Sequence, residues 1–171
     1  TLGKYVDEYM DKYFPNGVPN DPFAVMYQGN DTYGTGKALN RTSNVIAAAE
    51  AAGKADDAAT LLEALKGELQ DWFTATGEDG DKYFYYDKNV GSLYGFPQSY
   101  SSVDQTNDHH FHYGYFIYAA AQIALRDPEW ASDSNWGLMV KELINDIACT
   151  ERNSSTSRYP YLRNFAPYEG H

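Results

Sequence analysis

The sequence predicts an all-α fold built from helical hairpins that form part of a toroid or solenoid. Apolar residues recur every three to four positions in five separate segments, which is the period of an amphipathic helix. The loops between these segments are too elaborate for a compact up-and-down bundle. The chain has 171 residues, of which 43% are hydrophobic and 22% charged, as in an ordinary folded domain.

The first two predicted helices are separated by a long turn-rich stretch. The first helix ends at Pro15-Asn16-Gly17, and its apolar stripe consists of Leu2, Val6, Tyr9 or Met10, and Tyr13. The stretch from Pro15 to Gly36 contains repeated prolines and glycines, so it is predicted to be irregular. A second helix is predicted from Leu39 to Ala52, and it stops at Gly53.

The third predicted helix has the widest apolar stripe. Asp56 and Asp57 lie in or near its first turn, where negative charge favours the helix dipole. The stripe itself consists of Leu61, Leu62, Leu65, Leu69, Trp72 and Phe73. From Gly77 to Tyr100 the chain is rich in glycine, aspartate and aromatic residues, which predicts an irregular or short-strand excursion. Long loops of this kind often carry function.

Two further helices are predicted in the second half of the chain. One begins near Asn107 or Asp108 and ends at about Arg126, and the other covers residues 135–148. The second has an apolar stripe formed by Trp136, Met139, Val140, Leu143, Ile144 and Ile147. Cys149 is the one cysteine of the chain, and its apolar surroundings predict a buried thiol that packs as a small hydrophobic group.

Charge and aromatic content narrow the class of partner. The formal net charge of −11 and the pI near 4.6 argue against nucleic acid, because binding to phosphates requires a basic surface. No apolar run is long enough to cross a membrane and no leader is visible, so no membrane partner is expected. Aromatic residues make up 16% of the chain, including 16 tyrosines. So many hydroxyl-tipped rings predict an aromatic surface or cleft, which suits uncharged sugar rings.

One short segment concentrates the groups that could perform chemistry. Asp108-His109-His110-Phe111-His112 places one carboxyl group and three imidazoles at a predicted helix start. His109 and His112 are spaced for a metal, with Asp108 or a distant carboxylate completing the set. A third and a fourth ligand are not evident, so no metal and no other cofactor is predicted.

Two other interpretations of this segment remain open. Asp108 is a candidate for acid–base work, oriented by His112 one turn later, because a glycosidase needs a protonated acid and a second carboxylate across the cleft. Alternatively, Asp108 caps the helix and the histidines pack or form hydrogen bonds. A helix N-terminus favours the ionised carboxylate, so the acid role requires burial among aromatic rings or a neighbouring carboxylate.

The run from Asn107 to Phe116, continued by Ile117-Tyr118-Ala119-Ala120-Ala121, closely resembles the signature of glycoside hydrolase family 81, the endo-β-1,3-glucanases or laminarinases. Further similarities follow in chain order: Tyr33-Gly34 with Lys37, Leu65-Lys66 with Trp72-Phe73, Tyr86-Asp87, Asp127-Pro128 with Trp130, Leu143-Ile144 with Asp146-Ile147-Ala148, and Gly170-His171. In the first of these elements this sequence departs from the family by the insertion Thr35-Gly36.

The resemblance implies a fold, a reaction and two catalytic roles. The fold is an (α/α)6-toroid catalytic domain, with residues 1–171 as its amino-terminal portion and the domain continuing beyond residue 171. The reaction is hydrolysis of internal β-1,3-glucosidic bonds with inversion, for which Asp108 matches the general acid and His112 a histidine that supports activity. The base is a glutamate in a Glu-Ser-x-Ser-Glu element that this sequence lacks, and Glu169 does not match it. The chain alone is therefore expected to be inactive and to need the remainder of the same catalytic domain.

Several residues are expected to contact β-1,3-glucan, and the resemblance implies that the protein is secreted. The expected substrate-binding residues are Tyr33, Lys37, Tyr86, Asp87, His109, His110, Tyr113 and Tyr115. For the tyrosines, ordinary packing is the alternative, and for His109 and His110 it is bracing of the loop. Two rival functions stay open, a non-catalytic glucan-binding module and a histidine-rich metal-binding protein.

Overall fold

The computed structural model describes residues 1–15, 22–153 and 155–163. Within these ranges the chain forms mainly helices and one small sheet. In chain order the elements are α1 (Leu2–Tyr13), α2 (Pro22–Met26), α3 (Thr32–Ala51), α4 (Ala55–Trp72), β1 (Tyr83–Asp87), β2 (Ser92–Phe96), α5 (His109–Ala124) and α6 (Gly137–Ala148). The all-α prediction is confirmed in part, since the chain is mostly helical, and the excursion predicted to be irregular or a short strand forms the small sheet.

The start of α3 differs most from the sequence-based prediction. Asp31 caps this helix, because its side chain accepts hydrogen bonds from the backbone N–H groups of Tyr33 and Gly34, each at 2.9 Å. The helix therefore begins at Thr32 instead of Leu39, and the prediction of an irregular stretch up to Gly36 was wrong for residues 32–36. Within that stretch the short helix α2 also forms.

Helix α3 is the centre of the packing. It contacts α1, α2, α4 and α5. It can approach α5 closely because residue 36 is a glycine: a Cβ atom there would lie 2.9 Å from Tyr115 Cδ2 and 3.3 Å from the His112 carbonyl oxygen. The core around α3 is apolar and fully buried, and its largest members include Leu39, Ile46, Leu61, Leu65, Leu69, Trp72, Phe116, Ile123 and Leu143.

The two strands form an antiparallel hairpin that packs near α4 and α6. Tyr83 pairs with Phe96 at one end and Asp87 with Ser92 at the other. The ring of Phe84 packs edge-on against Phe116, with centroids 5.4 Å apart, and also contacts Trp72 at 5.4 Å. These aromatic contacts fix β1 against the core, and the hairpin in turn positions the segment that leads to α5.

The last two helices agree closely with the sequence. Helix α5 begins one residue after Asp108, and α6 begins at Gly137 instead of Asn135. Residue 137 approaches the preceding turn closely: its N–H bonds to the Ser132 carbonyl oxygen at 2.9 Å, and a Cβ atom would lie 2.3 Å from the Ala131 oxygen. Cys149 is buried, as predicted. None of the helices described here is both long and apolar enough to cross a bilayer.

Candidate active site

The candidate site lies where the first turns of α3 and α5 meet. Thr32 Oγ1 is 2.9 Å from His112 Nδ1, and this contact is buried. The Thr32 backbone N–H donates to the Pro97 carbonyl oxygen at 3.1 Å, which attaches the segment of residues 97–108 to the same place. Two helix N-termini and one long loop therefore converge on a single region.

Asp108 lies at the N-cap position of α5, but its side chain does not cap the helix. Its carbonyl oxygen accepts the backbone N–H groups of Phe111 and His112 at 3.0 Å each, while the side chain makes no capping hydrogen bond. The half-buried residue instead lines a depression of about 270 Å³ together with Tyr33, Tyr100, Phe111 and His112. Asp108 thus occupies the N-cap position without capping the helix through its side chain, and the residue lines a cleft with aromatic walls.

The loop that leads to Asp108 has an unusual backbone. Tyr100, Ser101, Thr106 and Asp108 all adopt left-handed conformations, with φ between 49° and 58°. For residues with a Cβ atom this conformation costs roughly 1–2 kcal/mol each. Backbone strain of this kind is concentrated at functional sites and persists only where surrounding contacts hold it. One such contact joins Tyr94 Oη to Thr106 Oγ1 at 2.7 Å.

His112 is neutral at ordinary pH. Its side chain is buried, and burial lowers the pKa of its imidazole from 6.5 to about 4, an effect that the nearby negative charge of Asp108 partly opposes. Its ring lies 5.4 Å from that of Tyr33 and 6.2 Å from that of Tyr100. A neutral imidazole held by Thr32 can exchange hydrogen bonds with its surroundings without adding a positive charge beside Asp108.

Aromatic rings form the walls of the depression. Tyr33 lies 5.0 Å from Tyr100 in an edge-on arrangement and 6.3 Å from Tyr115. Tyr100 is 67% exposed and Phe111 50%, so both present ring surface to solvent. These two residues were not assigned a role from the sequence, although Phe111 lies within the segment that was singled out. The left-handed conformation of Tyr100 leaves no signal in the sequence.

Lys37 and Tyr115 lie beside the depression without lining it. The Lys37 ammonium is 4.6 Å from the ring centroid of Tyr27 and 5.1 Å from that of Tyr33. Lys37 and Tyr115 line a neighbouring depression of about 320 Å³. Tyr33 therefore lies between the two depressions. Lys37 and Tyr115 are connected to the candidate site through the ring of Tyr33.

Tyr86 and Asp87 belong to a different part of the molecule. The Tyr86 hydroxyl donates to the Arg158 carbonyl oxygen, and its ring packs edge-on against Tyr159 with centroids 5.2 Å apart. Asp87 accepts from the Asn89 backbone N–H at 2.8 Å within the hairpin turn. The structure does not bring these two predicted substrate contacts together with Asp108.

His109 and Tyr113 lie in the core instead of the cleft. Both ring nitrogens of His109 are engaged, Nδ1 at 2.7 Å from Asp146 Oδ2 and Nε2 at 2.9 Å from the Ser102 carbonyl oxygen. Tyr113 is fully buried, and its hydroxyl donates to the Leu93 carbonyl oxygen at 2.8 Å. Burial prevents either side chain from meeting a ligand in this arrangement. For His109 the structure matches the bracing alternative, and for Tyr113 it matches ordinary packing.

His110 is the remaining predicted contact within the described residues. His110 is half-buried, and its ring lies 4.4 Å from that of Phe111. In the part of the chain that the structure describes, no three histidine, cysteine or acidic residues are close enough to hold a metal ion. Glu169 and the Gly170-His171 pair lie outside the described residues.

Comparison with known proteins identifies similarity over nearly the whole chain. The family model described as the C-terminal domain of glycosyl hydrolase family 81 matches residues 7–171. A glucan endo-1,3-β-D-glucosidase from Acetivibrio thermocellus is 54% identical over 141 residues, which is 82% of this chain and 18% of that protein. A protein of the same name from Thermobifida fusca is 44% identical over 142 residues, 83% of this chain and 18% of that protein.

A solved structure shows the same arrangement of helices and strands. It is that of a family 81 glycoside hydrolase from Clostridium thermocellum, studied as a mutant. The match has a TM-score of 0.83 at 47% identity and covers 99% of this chain and 22% of that one. This chain therefore spans about a fifth of the length of the proteins it is similar to.

Proposed function

Because the chain belongs to glycosyl hydrolase family 81, we propose that it forms part of the catalytic domain of an endo-1,3-β-glucanase and supplies the general acid, Asp108. The observation that carries this proposal is the position of Asp108 in a cleft with aromatic walls, with its side chain not used to cap α5. A carboxyl group in such a place can meet the glycosidic oxygen of a bound glucan. The relatives named glucan endo-1,3-β-D-glucosidases support the substrate class.

In the proposed reaction Asp108 acts as the general acid. Asp108 donates its proton to the glycosidic oxygen as the bond from that oxygen to the anomeric carbon breaks. A water molecule attacks the opposite face of the anomeric carbon and loses a proton to a second carboxylate, which inverts the configuration. The two carboxyl groups of an inverting enzyme lie about 6.5–9.5 Å apart to leave space for that water.

The second carboxylate belongs to another part of the longer protein. The curated relatives are more than five times as long as the region that matches this chain, since that region is 18% of each. We assign the base to the remainder of the catalytic domain, with which residues 1–171 complete an (α/α)6 toroid. This chain by itself is then inactive, because a proton donor without a base to activate water completes half of the reaction.

The walls of the cleft suit glucose units. Sugar rings present flat C–H faces, and the exposed rings of Tyr100 and Phe111 offer matching apolar surfaces. Tyr33 and His112 line the same cleft, and Lys37 and Tyr115 line the neighbouring depression beside Tyr33. His112 remains neutral and, held by Thr32, lines the cleft beside Asp108 while Asp108 transfers the proton. We also propose that the protein acts outside the cell, because its proposed substrate is a polysaccharide.

Product analysis tests this function directly. The full-length protein is mixed with laminarin, and the anomeric protons of the first products are followed by NMR. We expect shorter laminari-oligosaccharides that appear first as α-anomers, because inversion converts a β-bond into an α-anomer. Products that appear first as β-anomers would contradict inversion. Unchanged chain length with measurable binding would instead favour a non-catalytic glucan-binding module.

A further inference from the structure

A buried pair of ionisable side chains lies directly behind the start of α5. His109 follows Asp108 in the chain, and its Nδ1 is 2.7 Å from Asp146 Oδ2. The side chains of both residues have no solvent exposure. The other ring nitrogen, Nε2, is 2.9 Å from the carbonyl oxygen of Ser102. Ser102 lies in the segment 100–108, which contains the four left-handed residues. The imidazole thus connects α6 to Ser102 within the loop and to the residue that directly follows Asp108.

The same carboxyl group also holds the sheet. Asp146 Oδ1 accepts from the Leu93 backbone N–H at 2.8 Å and from the Ser92 hydroxyl at 3.1 Å. Helix α6, strand β2 and the start of α5 therefore meet at one side chain. Strand β2 is fixed to α5 a second time, one turn further on, where the Gly95 N–H donates to the Tyr113 hydroxyl at 3.0 Å.

The number of protons in this pair follows from its acceptors. A carbonyl oxygen can only accept, so His109 Nε2 carries a proton that it donates to Ser102. The Nδ1 to Oδ2 contact also contains a proton, which belongs to the imidazole or to the carboxyl group. In either form the pair is neutral as a whole and both of its hydrogen bonds are made, which is the condition for placing ionisable groups in a core.

We infer that Asp146 and His109 are positioning residues for the general acid, an inference that rests on the proposed role of Asp108. Four residues of the segment 100–108 hold left-handed conformations that need outside restraint. The buried pair supplies that restraint on both sides of Asp108, at Ser102 and at His109. Asp108 is thereby held at one place in the cleft although its own side chain makes no capping bond.

Two substrates separate positioning of an acid from general damage to the fold. In laminarin the leaving group is a sugar hydroxyl, which needs protonation. In a dinitrophenyl laminari-oligosaccharide the leaving group is dinitrophenolate, which departs without it. In the full-length protein, Asp146→Ala is expected to lower kcat on laminarin by about a hundredfold, the size that a displacement of about 1 Å can cause. The KM on laminarin and the rate with the dinitrophenyl substrate should change little.

Three further variants distinguish a positioning role from loss of folding. Asp146→Asn retains an oxygen for the Leu93 N–H and gains an amide that can donate to His109 Nδ1, so it should recover most of the laminarin rate. If Asp146→Ala does not fold, His109→Gln, whose amide can reach only one of the two partners, is measured with the same pair of substrates. The control is Glu142→Gln, one turn earlier on α6, where the carboxylate binds Tyr159 and Arg158 instead. It should leave both rates unchanged.

The possible outcomes are distinct. Equal losses on both substrates, a folded Asp146→Ala protein with the full laminarin rate, or failure of Asp146→Asn to recover activity would each overturn the inference. Asp108→Asn serves as the reference, since it should lose laminarin hydrolysis and keep the dinitrophenyl reaction. If Asp108→Asn keeps laminarin hydrolysis, it is the proposed function that fails. If only Asp108→Asn shows the selective loss, the acid role stands and the positioning role does not.

Discussion

His112 Nδ1 lies 2.9 Å from Thr32 Oγ1, and this buried contact joins the first turn of α5 to the first turn of α3. It connects two elements 80 residues apart in the sequence. Thr32 is also held from the other side, since its N–H donates to the Pro97 carbonyl oxygen. The orientation of the His112 ring beside Asp108 therefore depends on where α3 begins, which the cap by Asp31 determines.

Replacement of Thr32 by valine tests this dependence. Thr32→Val keeps the shape of the side chain but leaves the His112 nitrogen without its partner, which costs about 1–3 kcal/mol for a buried polar group. We expect a lower melting temperature and a lower kcat on laminarin in the full-length protein. Thr42→Val is the matched control in the same helix, because Thr42 Oγ1 bonds to Tyr9 Oη at 2.8 Å, away from the site. Thr42→Val should lower the melting temperature without lowering kcat. Equal losses of kcat in Thr32→Val and Thr42→Val would contradict the role of Thr32.

The neutral state of His112 can be observed by NMR titration of its imidazole. Burial lowers the pKa to about 4, so the ring should stay neutral from pH 7 down to about pH 5. The signal is assigned by its loss in His112→Gln. A midpoint near the ordinary value of about 6.5 would show that the ring is not held as described.

The lowered pKa of His112 also predicts how the stability of the protein changes with pH. A histidine whose folded pKa is lower than its unfolded pKa binds fewer protons in the folded state between those values. The free energy of unfolding contributed by His112 is therefore fully present above about pH 6.5 and declines as the pH falls to about 4. Below that range the loss stays constant. His112→Gln should have a weaker dependence on pH over this interval, measured by thermal unfolding, and an unchanged slope would contradict the assignment.

The exposed rings of the cleft should contribute to glucan binding more than to chemistry. Tyr100→Ala and Phe111→Ala each remove an exposed ring surface next to Asp108. We expect KM for laminari-oligosaccharides to rise about fivefold, since a stacking contact contributes on the order of 1 kcal/mol, with a smaller change in kcat. Tyr85→Ala is the control, as Tyr85 is 54% exposed on β1 and does not line the cleft. An equal rise in KM for Tyr85→Ala would show that the rings of the cleft do not contribute specifically to glucan binding.

The crossing of α3 and α5 should not tolerate a side chain at residue 36. Gly36→Ala would bring a Cβ atom within 2.9 Å of the Tyr115 ring, and overpacking of this kind typically costs about 1–3 kcal/mol. Gly67→Ala is the matched change within α4, where no heavy atom outside the local helix backbone lies within 4 Å of the new Cβ, and alanine should be neutral or stabilising by about 0.5–1 kcal/mol. The melting temperatures of both variants are compared by calorimetry. A Gly36→Ala protein as stable as Gly67→Ala would contradict the close approach.

The sequence allowed the helices to be predicted wherever an apolar stripe lies on one face. The stripes of α1, α4 and α6 locate these three helices correctly, although Leu2 of the α1 stripe is 54% exposed and Ile144 of the α6 stripe 39%. Helix α3 begins earlier than predicted because residues 32–36 carry no apolar stripe: Thr32, Gly34, Thr35 and Gly36 are buried small residues that pack by close approach. Periodicity of apolar residues cannot detect packing of that kind.

The site was only partly predictable for a similar reason. Asp108 and His112 share a short segment of rare composition, so they could be singled out from the sequence alone. Residues from other elements were harder to assign, since Tyr86 and Asp87 resemble cleft residues but belong to the hairpin, and Tyr100 reaches the cleft only through a left-handed backbone. The pairing of His109 with Asp146 joins residues 37 positions apart, and no local pattern reveals it.

The most direct test of the central claim is Asp108→Asn in the full-length protein. The amide has nearly the same shape as the carboxyl group but cannot donate the proton, so kcat on laminarin should fall by about 10²–10⁴-fold. Calorimetric titration with a laminari-oligosaccharide should give the same Kd as the parent protein. Substantial turnover by Asp108→Asn, with binding intact, would show that another group is the acid.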